Sequence, residues 1–196
     1  MRRKNLILTF LLCSLMVSTT GAADAKGPNL FSHGAGPIEI IMFTDYFCPP
    51  CRKIEPYLET AFEKLHRLGV KITFVDKPIH SITPLYSKYF LYASKTAASF
   101  SDILRIRSAL FDIASANTVH TERDLLQKLK EKEIAYMLID PAPIFSQWSQ
   151  LIGQYQVKST PTCIVLRPGE REIRYTGSRH IPAGIDLLLE ELSRDA

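Results

Sequence analysis

A pair of cysteines two residues apart, set where the hydrophobic period changes, restricts this chain more than any other feature. Ile38 to Phe43 (Ile-Glu-Ile-Ile-Met-Phe) is a nearly continuous apolar run, the pattern of a central strand covered on both faces. After a turn at Thr44 to Phe47 comes Cys48-Pro49-Pro50-Cys51, and from Pro49 onward the period becomes helical. Ile54, Tyr57, Leu58, Ala61, Phe62 and Leu65 form one apolar stripe. Arg52, Lys53, Glu55, Glu59, Glu63 and Lys64 take the wet side. Pro56 is expected to kink this helix without ending it, since the stripe continues beyond. Gly69 ends it, and Val70 to Val75 reads as a second strand. Such a strand–helix–strand unit predicts a right-handed crossover between parallel strands.

The placement of the pair predicts chemistry. A thiolate is the reactive form of cysteine, and the free N–H groups of a helix N-terminus favour negative charge. Cys48 falls at the cap position and is expected to be an exposed nucleophile. Pro49 suits the first helical position, where its missing donor costs little. Cys51 lies one turn in, on the face of Ile54 and Leu58, and is expected to be shielded. An exposed thiol beside a shielded one suits disulfide exchange: a partner forms a mixed disulfide with Cys48, and Cys51 releases it. A zinc site would need two further ligands, yet His33, His66, His80, His120 and His180 are scattered with no second close pair. A purely structural bridge closing so short a loop would add little stability.

The N-terminus bears on the compartment. Arg2, Arg3 and Lys4 precede a short apolar run, Leu6 to Val17, and small residues follow at Gly21, Ala22 and Ala23. That is the layout of a cleavable secretory signal, expected over residues 1–23, with an uncleaved signal-anchor as the rival reading. Leu12 before Cys13 argues against a lipidation site. The formal net charge is +4, and three of those units belong to the signal, so the exported chain is near neutrality. That gives no case for nucleic acid or for a strongly basic membrane patch. Removal of Cys13 leaves Cys48, Cys51 and Cys163, too sparse for a disulfide-stapled scaffold.

Downstream, Leu85 to Ala98 and Ser101 to Ala114 carry helical periodicity. Thr121 and Asp124 predict a capped helix to about Lys132. Asp140 and Pro141 read as cap and first residue of another helix, to about Tyr155. Lys26 to Gly36 is expected to lead loosely into the fold. Thr162 to Leu166 reads as a buried strand, Glu172 to Thr176 as its hairpin partner, and Ala183 to Leu192 as a closing helix. Tyr86, Phe90, Tyr92 and Trp148 read as packing residues, and His80 as a surface or junction residue.

Two motifs in this order, Cys48-Pro49-Pro50-Cys51 opening a helix and Ser159-Thr160-Pro161-Thr162 before a buried strand, resemble the thioredoxin superfamily. The resemblance implies that Pro161 is cis and that the Thr160 backbone helps hold an incoming peptide or thiol. The long, mostly helical stretch between the second strand and that loop is similar to the DsbA-like branch. The fold it implies is α/β, a thioredoxin fold with a helical insertion at about 79–157 within a domain spanning 24–196. Members of that branch often carry an acid six positions before the first cysteine; Met42 stands there. Asp45 is nearer the site, as a proton carrier or simply a turn residue. Pro50 lacks an N–H, so one donor to the Cys48 thiolate is missing, and a milder oxidant or a reductant is expected. Cys163 reads as a core residue or as a third thiol modulating the pair.

The leading expectation is therefore a thiol–disulfide oxidoreductase, without cofactor, acting on cysteines of exported proteins in the periplasm or another secreted compartment. A membrane partner, either a quinone-linked oxidase or an electron donor, would recycle the pair. Little chain lies between the signal and Ile38, so no added dimerisation domain is expected and the protein should be a monomer. The rival of a different class is a copper-handling metallochaperone using the same two cysteines as soft ligands. A third reading is a peptide-binding module that keeps the cysteines as an inert bridge.

Overall fold

The computed structural model describes residues 30–194; the expected signal segment and Cys13 lie outside them. Among the described residues, β1 (Ser32–His33), β2 (Glu39–Thr44), β3 (Lys71–Asp76), β4 (Thr162–Leu166) and β5 (Ile173–Thr176) form one sheet in the order β1-β3-β2-β4-β5. The most apolar strand, β2, lies at its centre. It runs parallel to β3, with Met42 opposite Phe74, and antiparallel to β4, with Met42 opposite Cys163. Residues opposite one another share a face of the sheet. Met42, Phe74 and Cys163 therefore line one face, and Phe43, Val75 and Thr162 the other.

Helix α1 (Pro49–Arg67) follows β2 and runs through Pro56 unbroken. It buries Cys51, Ile54, Leu58, Ala61, Phe62 and Leu65, the stripe its sequence spells out. At its end Gly69 adopts φ +83, and the chain turns so tightly that a Cβ at Gly36 would run into the Gly69 carbonyl. The closing helix, α6 (Gly177–Arg194), is longer than its apolar pattern suggested and packs along α1. The Tyr57 hydroxyl stitches the two together, donating to Asp186 Oδ1 at 2.6 Å.

Between β3 and β4 lie α2 (Thr83–Ser94), α3 (Phe100–Ala116), α4 (Glu122–Glu131) and α5 (Ala142–Gln154). Two of them begin with reciprocal caps, Ser99 with Asp102 and Thr121 with Asp124. At α5 the cap residue is Pro141 itself, although Asp140 Oδ1 still accepts the Ala142 N–H at 3.0 Å. Tyr86, Phe90 and Tyr92 are buried, and Trp148 packs edge-on against Phe31 at 5.9 Å between ring centroids.

Two expectations are corrected here. The stretch before β2 is not wholly loose: Ser32 and His33 pair with β3, and Phe31 is buried against Trp148. A two-residue strand is too short to show a period, and its anchor comes from a distant helix. Glu55 does not face water; it is buried beneath α3, where Arg107 supplies the opposite charge.

Candidate active site

The sheet delivers Cys48 to the end of β2 and α1 carries Cys51 back into the core. Cys48 is the cap residue of α1, with φ −72 and ψ 116, and its carbonyl accepts from the N–H groups of Cys51 and Arg52 at 3.0 and 3.1 Å. Its own N–H bonds the Asp45 carbonyl at 3.2 Å, closing the preceding turn. Pro49 and Pro50 are exposed at the first two helical positions. No side-chain cap bonds back to the free N–H groups of this first turn, so the positive end of the α1 dipole lies at the Cys48 cap.

The loop before β4 meets this sulfur. The Thr160–Pro161 peptide bond is cis. Cys48 Sγ donates to the Thr160 carbonyl at 3.3 Å, so residues 112 apart in sequence touch at the site. This contact corrects the expectation of an exposed thiol: Cys48 is only 4 % exposed, because the Thr160 carbonyl lies against its sulfur. Cys51 is fully buried, and both sulfurs are free thiols. Burial, reinforced by the adjacent Cys48, pushes the Cys51 thiol well above the usual range.

Asp45 is buried and occupied on both oxygens. It accepts from Phe47 N at 2.7 Å, Ile79 N at 2.8 Å, His80 N at 3.2 Å and the Thr83 hydroxyl at 2.7 Å. Its Oδ1 also lies 2.9 Å from His80 Nδ1. These bonds make it the peg that fastens the β3–α2 loop to the redox turn. His80, read as a junction residue, sits at that junction. The Phe47 ring packs edge-on to Tyr86 at 4.9 Å, with the Arg52 guanidinium 5.3 Å from its centre.

Four charged side chains around the site were not singled out as site residues from sequence. Arg52, directly after Cys51, donates to the Tyr46 carbonyl through Nε and to the Ala114 carbonyl through Nη2, both at 2.8 Å. It thereby ties the redox turn to the last turn of α3. One turn below Cys51, Glu55 Oε1 lies 2.7 Å from Arg107 Nε. Arg107 Nη2 donates to Glu55 Oε2 and to the Thr44 hydroxyl, both at 3.0 Å. Asp76, paired in register with Thr44, is buried beside them; burial outweighs the Arg107 charge and pushes its carboxyl up to about 6. The signal for Arg107 was present: Ile103, Leu104, Leu110 and Phe111 flank it three and four residues away, which puts a charge in the middle of an apolar stripe. Glu55 likewise stands seven residues before Phe62, almost on the same face.

Cys163 lies on the central sheet between Met42 and Tyr175, and burial pushes its thiol up to about 12. Among the described residues, no group of three or more His, Cys, Asp or Glu side chains is gathered to hold a metal ion.

Comparison with protein-family models and with curated protein sequences gives no match. Solved structures do resemble the chain. Wolbachia pipientis alpha-DsbA1 is 12% identical with a TM-score of 0.64, over 86% of this chain and 94% of that one. A putative protein-disulfide isomerase from Pseudomonas syringae is 15% identical with a TM-score of 0.60, over 84% and 98%. A periplasmic thioredoxin-like protein from Salmonella enterica serovar Typhimurium is 20% identical with a TM-score of 0.59, over 82% and 88%. The chain thus has a thioredoxin fold. Within that class its architecture is DsbA-like, with the helical region α2 to α5 inserted between β3 and β4.

Proposed function

We propose that this protein is a thiol–disulfide oxidoreductase that exchanges disulfides with cysteines of exported proteins through Cys48 and Cys51. The observation that carries the reading is the juxtaposition of the Cys48 sulfur, at the N-terminus of α1, with the Thr160–Pro161 loop. In the oxidising direction a substrate thiolate attacks the Cys48 sulfur of the Cys48–Cys51 disulfide. The S–S bond breaks, Cys51 leaves with the electron pair, and a mixed disulfide joins Cys48 to the substrate. A second substrate thiolate then attacks the substrate sulfur, expelling Cys48. The substrate gains a disulfide and the protein becomes a dithiol. The reductive direction is the same sequence reversed, with Cys51 as the resolving thiol.

Thr160 and Pro161 are the substrate-facing residues in this reading. Burial favours the neutral Cys51 thiol, so after leaving it takes a proton rather than holding its charge against the buried wall. Pro49 and Pro50 tune Cys48 by what they lack: neither has an N–H to offer its sulfur. The bond from Cys48 Sγ to the Thr160 carbonyl is one that only the protonated sulfur can donate. Neither feature offers the Cys48 sulfur a donor, which supports a milder oxidant or a reductant. Asp45 acts as a structural peg and Cys163 as a core residue. The signal-like layout of residues 1–23 and the periplasmic setting of the Salmonella protein that the fold resembles support a periplasmic setting, where a quinone-linked oxidase or an electron donor in the membrane would recycle the pair.

Substitution Cys51→Ala tests the reading. The variant is expected to accumulate mixed disulfides between Cys48 and cysteine-containing proteins, released by dithiothreitol and seen as higher bands on non-reducing gels. If the variant traps no protein but loses copper binding, the metallochaperone reading replaces this one.

A further inference from the structure

The loop between α4 and α5 holds four consecutive exposed apolar residues, Ala135 to Leu138. Tyr136 is 40 %, Met137 53 % and Leu138 70 % exposed. An apolar run presented to water in this way marks a contact surface. The loop is held firmly: Met137 N donates to the Tyr92 carbonyl at 3.0 Å and the Thr96 hydroxyl to the Ala135 carbonyl at 3.2 Å. Ile134 is buried beneath it, and the Tyr136 ring stands edge-on to Tyr89 at 5.4 Å. The side chains of Met137 and Leu138 are therefore held outward by a fixed backbone.

Beside the loop is an open groove of about 700 Å³, lined by apolar Leu126, Ile134 and Tyr136 and by Arg123 and Lys130, with one acid, Glu133. Among the described residues, neither of these cations makes a salt bridge. Their neighbours Lys88, Lys128 and Lys132 are paired with Glu122, Glu131 and Asp112. Met137 and Leu138 do not line the groove. A peptide lying in it would leave the most exposed residue of the loop in water, whereas a bilayer covers both.

The geometry points to a docking surface for an anionic lipid bilayer. Met137 and Leu138 enter the boundary between headgroups and acyl chains, Tyr136 lies at headgroup level, and Arg123 and Lys130 meet lipid phosphates. Tyr92, which anchors the loop, is nine residues along α2 from Thr83, the residue bonded to Asp45. At a rise of 1.5 Å per residue that separation is about 14 Å along α2, which sets the loop apart from the redox turn.

The test uses the exported chain from Asp24 onward, which contains every described element, with phosphatidylglycerol–phosphatidylethanolamine vesicles and phosphatidylcholine vesicles as probes. The chain is expected to sediment with the anionic vesicles, and Met137→Ser/Leu138→Ser to do so roughly tenfold less. Arg123→Gln/Lys130→Gln, or salt at about 1 M, should remove the preference for anionic lipid. A Leu138→Trp variant should shift its emission to the blue with vesicles, while buried Trp148 stays constant. Equal sedimentation of the parent and the Met137→Ser/Leu138→Ser variant, or none by the parent, overturns the proposal. Dimerisation without lipid that the same substitutions abolish assigns the loop to a second copy and also overturns it.

Discussion

Arg107 is fully enclosed, yet it carries a charge that burial opposes. Its guanidinium lies 4.6 Å from the centre of Phe74 and 4.9 Å from that of Phe111, and Glu55 is the acid it grips. Two charges taken out of water tolerate one another only as a pair, so removing one partner is far worse than removing both. Arg107→Met is expected to cost about 3–5 kcal/mol in unfolding free energy by leaving Glu55 buried and unpaired. Adding Glu55→Leu to it should recover much of that loss. Urea denaturation of the two variants decides the matter, and a double variant no more stable than the single one would contradict the pair as drawn. Much at this scale was legible. Cys51 shielded, Cys48 at a helix cap and Met42 in the core follow from spacing alone. The burial of Cys48 was not legible, because the carbonyl against its sulfur belongs to Thr160, far along the chain.

At the scale of elements, β1 holds to the sheet through few contacts, and one of them titrates. His33 packs its ring 5.5 Å from Phe100 and 6.1 Å from Phe74. Burial, with the nearby His66 adding to it, pushes its pKa down to about 4 from 6.5. Between those values the unfolded chain binds the proton and the native chain does not. Stability contributed by neutral His33 is therefore whole above pH 6.5 and falls as pH drops towards 4. The change is at most about 3 kcal/mol, reduced by the ring's partial exposure. Asp76 works the other way, since its carboxyl keeps a proton up to about 6 and its contribution falls as pH rises from 3.8. The parent's own pH curve therefore mixes opposed slopes, and a difference is the clean readout. His33→Phe should gain stability relative to the parent as pH falls from 6.5 to 4, with no change in the difference above pH 7. A pH-independent difference would contradict a buried neutral His33. The cap of α4 lies at the opposite extreme of legibility: Thr121 and Asp124 sit three apart and satisfy each other, so their chemistry is local. The pairing of β1 depends on Thr73 and Trp148, which no window around residue 32 contains.

Across the whole molecule, the sheet and the inserted helices meet at the redox turn. Asp45 fastens the β3–α2 loop to it, Arg52 fastens the end of α3, and Arg107 joins α3 to β2 and α1. The insertion therefore does more than lengthen the connection between β3 and β4; it holds the turn that presents Cys48. The succession of elements from β2 onward, with a mostly helical block between β3 and β4, was readable from periodicity and turn signals. The fastenings were not, since each joins residues brought together only by the finished fold. The measurement that tests the central claim most directly is equilibration of the chain from Asp24 onward with glutathione buffers, following the Cys48 and Cys51 thiols. The account predicts one reversible two-electron transition at a potential more negative than about −120 mV, towards the thioredoxin value of about −270 mV. A transition at about −120 mV or above would contradict a milder oxidant or a reductant, and no exchange with glutathione at all would contradict the redox pair itself.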